Sequence, residues 1–346
     1  MVEGQAPGKL LLTGEYAVLR GAPAVAQAMG GPARARVSRA VAGEFRDAQA
    51  GQSWPYSLGQ GAGVHWHAGD PGQAGRLPTA VLAECLRRWP TPLQTQPLIL
   101  ELDTSAFRHL DADGAALKFG LGSSAALVVA LVGAVVAELD IEVSPAQLRD
   151  CCLDAHRAFQ GGQGSGVDVL TALQGGLLLM AGAGAPPASL AWPGDLHRVT
   201  VWTGRSASTP ALIAQFDAFA RRQPEKFADC LAQLVTAAGD AAGAWRAGVA
   251  SQIIVAVQCY AQALRVLDAQ GDIGIWTPEH EILAGLSASH GAVYKSSGAG
   301  GGDLGFALSE SADAAAALTQ AMTSAGFHVL PGQAQTLAGL AVTADA

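Results

Sequence analysis

Charge is scarce in this chain, and basic charge is the scarcer kind. Only 14% of its 346 residues are charged, with 21 Lys and Arg against 29 Asp and Glu, for a net charge of −8. No run of Lys or Arg occurs. Nucleic acid and anionic membranes are therefore excluded as main partners, because both need a concentrated basic surface. A small anionic metabolite needs only a few local cations. Long hydrophobic runs are also missing. The longest, Ala125 to Ala137, is too short to span a bilayer and contains Gly133, so it reads as a buried helix. The opening MVEGQAPGKLLLTGE has no cationic stretch ahead of an apolar signal core. A cytoplasmic protein, monomeric or homodimeric, is expected. The five cysteines, Cys85, Cys151, Cys152, Cys230 and Cys259, form no CxxC pair and no metal-ligand spacing, and are expected as buried free thiols. A Walker A sequence, GxxxxGK[ST], is absent too.

What the chain has in quantity is apolar surface, at 50% of residues, and glycine, at 43 residues. The length suits two packed domains or one large elaborated one. Residues 9–13, 23–28 and 97–103 read as strands. Residues 50–76, rich in Gly, aromatics and His, read as a long loop or hairpin, with Trp54 to His67 a candidate adenine contact. Ser123 and Ser124 are the expected cap of a helix buried on most faces, followed by helices over 146–160 and 167–174 and the strand LLLMAG. The prolines of GAPPASLAWPG place a domain boundary near residue 190. Beyond it come a strand, HRVTVWTG, and helical periodicity at about 209–221, 224–246, 251–270 and 277–288. Strands at 291–296 and 304–308, a helix at 310–325 and the strand FHVLP complete an α+β sandwich.

Three glycine-rich loops carry the chemistry. In Lys118-Phe-Gly-Leu-Gly-Ser-Ser-Ala-Ala126, Gly120 and Gly122 let the main chain approach a ligand, and the helix that follows presents unpaired N–H groups to an anion. Ser123 and Ser124 add hydroxyls and Lys118 a charge. The same residues fit a loose dinucleotide-binding pattern, although the segment before them is a poor parallel strand. In Gly161-Gly-Gln-Gly-Ser-Gly-Val-Asp168, a carboxylate follows a flexible turn. Asp168 either takes part in phosphoryl transfer, accepting or orienting the acceptor's hydroxyl, or caps the helix beginning there. In Lys295-Ser-Ser-Gly-Ala-Gly-Gly-Gly-Asp303, four glycines in five residues point to close approach by a ligand or another loop. Near the start, Lys9 leads a strand as a candidate phosphate-neutralising charge or a solvated side chain.

In this order, APGKLLLTGEYAVL, KFGLGSSAA and KSSGAGGGDLGFAL resemble the signature motifs of the galactokinase, homoserine, mevalonate and phosphomevalonate (GHMP) kinase superfamily. Gly-Glu-Tyr at 14–16, Ala155-His-Arg-Ala-Phe-Gln160, Gly164-Ser-Gly-Val-Asp-Val169 and Val201-Trp-Thr-Gly-Arg-Ser-Ala-Ser-Thr209 are most similar to its phosphomevalonate kinase family. The resemblance implies a two-domain α+β fold, with an N-terminal ribosomal protein S5 domain 2-like unit (1–190) that binds ATP and a C-terminal ferredoxin-like unit (191–346). It implies ATP and Mg²⁺ as cofactors, and phosphorylation of phosphomevalonate to diphosphomevalonate in the mevalonate pathway of isoprenoid biosynthesis.

Carried over, Lys118, Gly120, Leu121, Gly122, Ser123, Ser124 and Ala125 cradle the ATP phosphates, with Ser124 at the metal, and Lys9 and Asp168 activate the acceptor. Glu15, Tyr16, His156, Arg157, Ser165, Arg205, Ser206, Ser208, Thr209, Lys295, Gly298, Ala299 and Gly300 become substrate-binding candidates. Arg157 departs from mevalonate kinases, which resemblance would furnish with a Glu there, and Leu304 stands where the family commonly has Cys. A mevalonate kinase, another kinase of the superfamily, or a ligand sensor on the same scaffold are the alternatives.

Overall fold

In the computed structural model, residues 1–47, 50–59, 63–67, 69–110, 116–162, 164–182, 185–331 and 337–344 are described. The chain begins with β1 (Val2–Thr13), a 3-10 turn (Ala17–Arg20), β2 (Ala24–Arg39), β3 (Gly43–Asp47), β4 (Gln52–Leu58) and β5 (Val64–Trp66). Next come α1 (Gln73–Arg88), α2 (Pro90–Thr95), β6 (Leu98–Asp103), β7 (Arg108–Leu110), β8 (Ala116–Lys118), α3 (Ser123–Glu138), α4 (Pro145–Phe159), α5 (Val167–Gln174), β9 (Leu177–Met180) and β10 (Ala188–Leu190). The rest runs β11 (His197–Trp202), α6 (Thr209–Arg222), α7 (Pro224–Ala247), α8 (Ala250–Gly271), α9 (Pro278–Ser289), β12 (Val293–Ser296), β13 (Leu304–Ser309), α10 (Ala312–Ser324), β14 (His328–Leu330) and β15 (Ala341–Ala344).

The first sheet is built on β1 and β2, antiparallel from Val2 opposite Val37 to Thr13 opposite Val25. Both exceed the short strands expected at 9–13 and 23–28. Gly4, Pro7, Gly8, Gly30, Gly31 and Pro32 are poor strand formers, and the ladder shifts register between Ala6 and Gly8 to absorb two of them. Burial outweighs propensity here. Across β2 the sheet continues in the order β10-β9-β2-β6-β3-β4-β5, with β3 and β6 parallel.

Helix α3 lies on β1 and β2 with every residue from Ala125 to Val136 buried. A side chain at Gly4 would run into the Ala130 carbonyl oxygen, so that glycine is what lets strand and helix touch. Truncating Leu131 or Val132, both 0% exposed, would cost about 2–4 kcal/mol.

The second sheet has the order β12-β13-β11-β14, all neighbours antiparallel, with α9 and α10 packed on it. Helix α8 is long and apolar enough to cross a membrane by length and composition. Its Ile253, Val257, Tyr260, Leu264 and Leu267 are instead buried in the protein.

Several expectations are corrected. The cap of α3 is Gly122, in the left-handed region at φ 76 with no side-chain cap bond, and both serines lie inside the first turn. Cys259 is exposed, whereas Cys85, Cys151, Cys152 and Cys230 are buried and all five are free thiols. Within the Trp54–His67 stretch, β4 and β5 pair at the sheet edge in the hairpin form of the expected loop or hairpin, and residues 60–62 lie outside the described residues. The hairpin's rings pack on the sheet, Trp54 stacked on Phe45 at 5.4 Å and Trp66 edge-on to Tyr56 at 5.6 Å. Finally, β15 pairs with β1, Val2 opposite Ala344, so the tail of the chain closes the first sheet.

Candidate active site

Strand β1 delivers Lys9 to the first glycine loop, and its backbone N–H donates to the Leu121 carbonyl at 2.8 Å. The loop then turns through Gly120 and Gly122, at φ 77 and 76, values an L side chain adopts only with strain. With no side chain capping α3, the N–H groups of its first turn face the loop, a ready anion site at the positive end of the helix dipole.

Two other segments converge on these glycines. A Cβ placed on Gly122 would sit 3.5 Å from Lys9 Cγ and 3.6 Å from Asp168 Cβ. One placed on Gly298 would sit 3.8 Å from Lys9 Nζ, and one on Gly120 would sit 2.5 Å from Asp303 Cγ. The three glycine loops thus share one crevice with Lys9. Asp168 is in the first turn of α5, whose cap is Gly166, and its carboxylate accepts from the Val169 N–H at 3.0 Å. His156, buried on α4, bridges the first two loops. Its Nε2 lies 3.2 Å from Ser124 Oγ, and its Nδ1 lies 3.9 Å from the Asp168 carboxylate.

The third loop is held from behind. Lys295 is 0% exposed, and its ammonium donates to Glu15 and to the Ser296 carbonyl, each at 2.5 Å. Burial depresses the Lys295 pKa and the Glu15 carboxylate opposes that shift. The same Glu15 oxygen accepts from the Gly298 N–H at 3.3 Å, while the Tyr16 hydroxyl donates to the Ala299 carbonyl at 2.5 Å. Burial also raises the Tyr16 pKa, keeping it a donor. Glu15 through one carboxylate oxygen, Tyr16 and Lys295, all expected to face substrate, are bonded to the loop, and the other Glu15 oxygen is buried without a hydrogen-bond partner. The Ile275 carbonyl accepts from Gly301, and a side chain at Gly300 would strike Ile275. Asp268 fixes that segment by accepting from the N–H groups of Gly274, Ile275 and Trp276 at 2.7, 2.9 and 2.8 Å.

The remaining candidates divide into two places. Arg157 and Ser165 line a cavity of about 690 Å³ between α4, the start of α5 and α6. Arg20 and Arg149 line it too. The three guanidiniums hold only half-exposed ion pairs, with Asp217, Asp150 and Asp154, which an incoming anion can displace at little cost. Arg205, Ser206, Ser208 and Thr209 lie outside that cavity, exposed on the turn from β11 into α6. Asp303 ties this turn down. It accepts from the Ala207 N–H at 3.1 Å and donates its own N–H to the Arg205 carbonyl at 2.7 Å, and burial raises its carboxyl pKa. Lys118 is exposed at the end of β8. Arg20, Arg149, Asp268 and Asp303 were not among the candidates read from the sequence, and only Asp303, directly after the glycines of the third loop, carried a local signal.

No group of three or more His, Cys, Asp or Glu able to hold a metal occurs among the described residues. Ser124 Oγ, held by His156, is nonetheless a hard oxygen donor. That suits Mg²⁺, which keeps most of its shell as water and substrate phosphate.

A crevice of glycine turns at a helix N-terminus, with a lysine and a carboxylate beside it, defines a phosphotransferase. Residues 109–176 match the model of the GHMP kinases N terminal domain. The chain is 31% identical to a phosphomevalonate kinase from Streptomyces sp. (strain CL190), covering 94% of this chain and 95% of that one. Among solved structures, the Lin0012 protein of Listeria innocua aligns with TM-score 0.84 at 21% identity, over 99% of both chains. The phosphomevalonate kinase of Streptococcus pneumoniae, in complex with phosphomevalonate and AMPPNP, aligns with TM-score 0.76 at 21% identity, over 97% of this chain and 100% of that one. The chain belongs to the GHMP kinases, and within them to the group typified by phosphomevalonate kinase.

Proposed function

We propose that the protein transfers the γ-phosphate of ATP to the phosphate of phosphomevalonate, giving ADP and diphosphomevalonate. Lys9 and Asp168 flanking Gly122, at the mouth of an uncapped helix, is the observation that carries this reading. The arginine-lined cavity beside Ser165 supplies the cations that an acceptor with two anionic ends requires.

An oxygen of the acceptor's phosphate attacks Pγ in line, the bond from Pγ to the bridging oxygen breaks, and ADP leaves with the bonding pair. A phosphomonoester has a second pKa near 6, so at neutral pH the attacking oxygen is already mostly deprotonated. Asp168 then acts chiefly by orienting Lys9 and the acceptor, and takes a proton only from the minor monoanion. Lys9 and the first-turn N–H groups of α3 neutralise charge on the moving phosphoryl group. Mg²⁺, when bound, neutralises further charge on the phosphates, and Ser124 is the residue we assign to it, with His156 holding its hydroxyl. Residues 1–190 carry the nucleotide loop and 191–346 the third glycine loop, apart from β15, and we place the protein in the cytoplasm.

The test is ADP release with phosphomevalonate, mevalonate or galactose as acceptor. A kcat/KM at least about a hundredfold higher with phosphomevalonate supports the reading. Turnover with mevalonate equal to or above it refutes it.

A further inference from the structure

A second cavity, of about 270 Å³, lies between the two sheets and apart from the arginine-lined one. Its walls include Gly30 and Gly31 of β2, Phe119 and Leu121 of the glycine loop, Arg198 of β11 and His328 of β14. Arg198 is its chemical oddity. The residue is only 6% exposed, and its charge sits on the ring of Trp192 at 5.2 Å. One amino group donates to the Gln27 amide oxygen, and Nε has no hydrogen-bond partner. Among the described residues no carboxylate pairs with it, and burial lowers its pKa to about 10. The other deeply buried cation, Lys295, has Glu15 against it. A buried guanidinium without a counter-ion is costly to maintain, and it recovers that cost when an anion arrives.

We propose that this cavity is a second anion-binding site, in which Arg198 takes the phosphate group of a small ligand. His328, stacked on Phe119 at 5.7 Å, forms part of the wall beside it. The volume admits a phosphate with a short carbon chain and is too small for a nucleotide. An occupant lies against Leu121, whose carbonyl binds the Lys9 N–H, and so bears on the first glycine loop from its far wall.

The test is a thermal-shift titration with the nucleotide site filled by Mg·AMPPNP, using inorganic phosphate in one arm and glycerol phosphate in another. A saturable rise in Tm, on the order of 5 °C at a hundredfold excess over Kd, is expected in the arm whose ligand fits. It should persist in Arg157→Gln, which removes a cation from the competing pocket, and disappear in Arg198→Gln. A rise retained in Arg198→Gln, or none in either arm of the unaltered protein, overturns the proposal. Should Arg198→Gln fail to fold, a selenate soak of unaltered crystals decides the matter. An anomalous peak within hydrogen-bond distance of the Arg198 guanidinium supports the site, and its absence refutes it.

Discussion

Glu15 and Lys295, 280 residues apart in sequence, place their charges 2.5 Å from one another in an interior where neither side chain is more than 1% exposed. One belongs to the first signature segment and the other to the third, and the Gly298 N–H shares the same carboxylate oxygen. The pair is a bolt between two loops, and it forms only when the second sheet is docked.

Removing half of that bolt leaves the other charge buried. Lys295→Met should destabilise the fold by about 3–5 kcal/mol, measured by urea unfolding, and Glu15→Leu with Lys295→Met should recover much of it. A single variant as stable as the parent would show that the charges do not depend on each other.

Gly120 tests the crevice. Alanine there must hold a left-handed backbone angle and also push against Asp303, so Gly120→Ala should raise the KM for ATP by about ten- to a hundredfold while the far-UV spectrum is unchanged.

The arginines test the acceptor cavity. Arg149→Gln and Arg157→Gln should each raise the KM for phosphomevalonate about tenfold and leave the KM for ATP nearly unaltered. Their stability should fall by less than about 1 kcal/mol, because each loses only a half-exposed ion pair.

His280 sets an acid limit on stability. Burial lowers its pKa from 6.5 to about 4, and Nδ1 lies 2.9 Å from the Tyr294 hydroxyl. The folded state keeps the ring neutral while the unfolded chain protonates it below about pH 6.5. Stability from this residue is therefore full at pH 7 and is lost as pH falls toward 4. Between pH 7 and pH 5 the loss should be about 2 kcal/mol in urea titrations, and the corresponding change should vanish in His280→Gln.

Much of this was legible in the chain. Helices α6 to α10 fell within a few residues of their periodic patterns, because each buries one apolar stripe, α9 and α10 on the second sheet and α6 and α7 chiefly on neighbouring helices. The glycine loops were legible because positive φ angles and close approach leave a compositional mark. The long arms of β1 and β2 were not, since their glycines and prolines argue against strand, and only their pairing with each other and with β6, β9 and β15 reveals the ladder. Glu15, Tyr16 and Lys295 were read as facing substrate because motif residues invite it, whereas burial shows them bracing the third loop. Arg20 and Arg149 have no sequence signature at all, because a cavity is made by three separated elements meeting.

The central claim is that three glycine turns close around one triphosphate with Lys9 and Asp168 at the transferred group. A crystal structure with Mg·AMPPNP and phosphomevalonate tests it most directly. The account predicts the γ-phosphate between Lys9 Nζ and the first turn of α3, with the acceptor phosphate reaching it from the cavity of Arg20, Arg149 and Arg157. A nucleotide bound away from Gly120 and Gly122, or a γ-phosphate out of reach of Lys9, would contradict it.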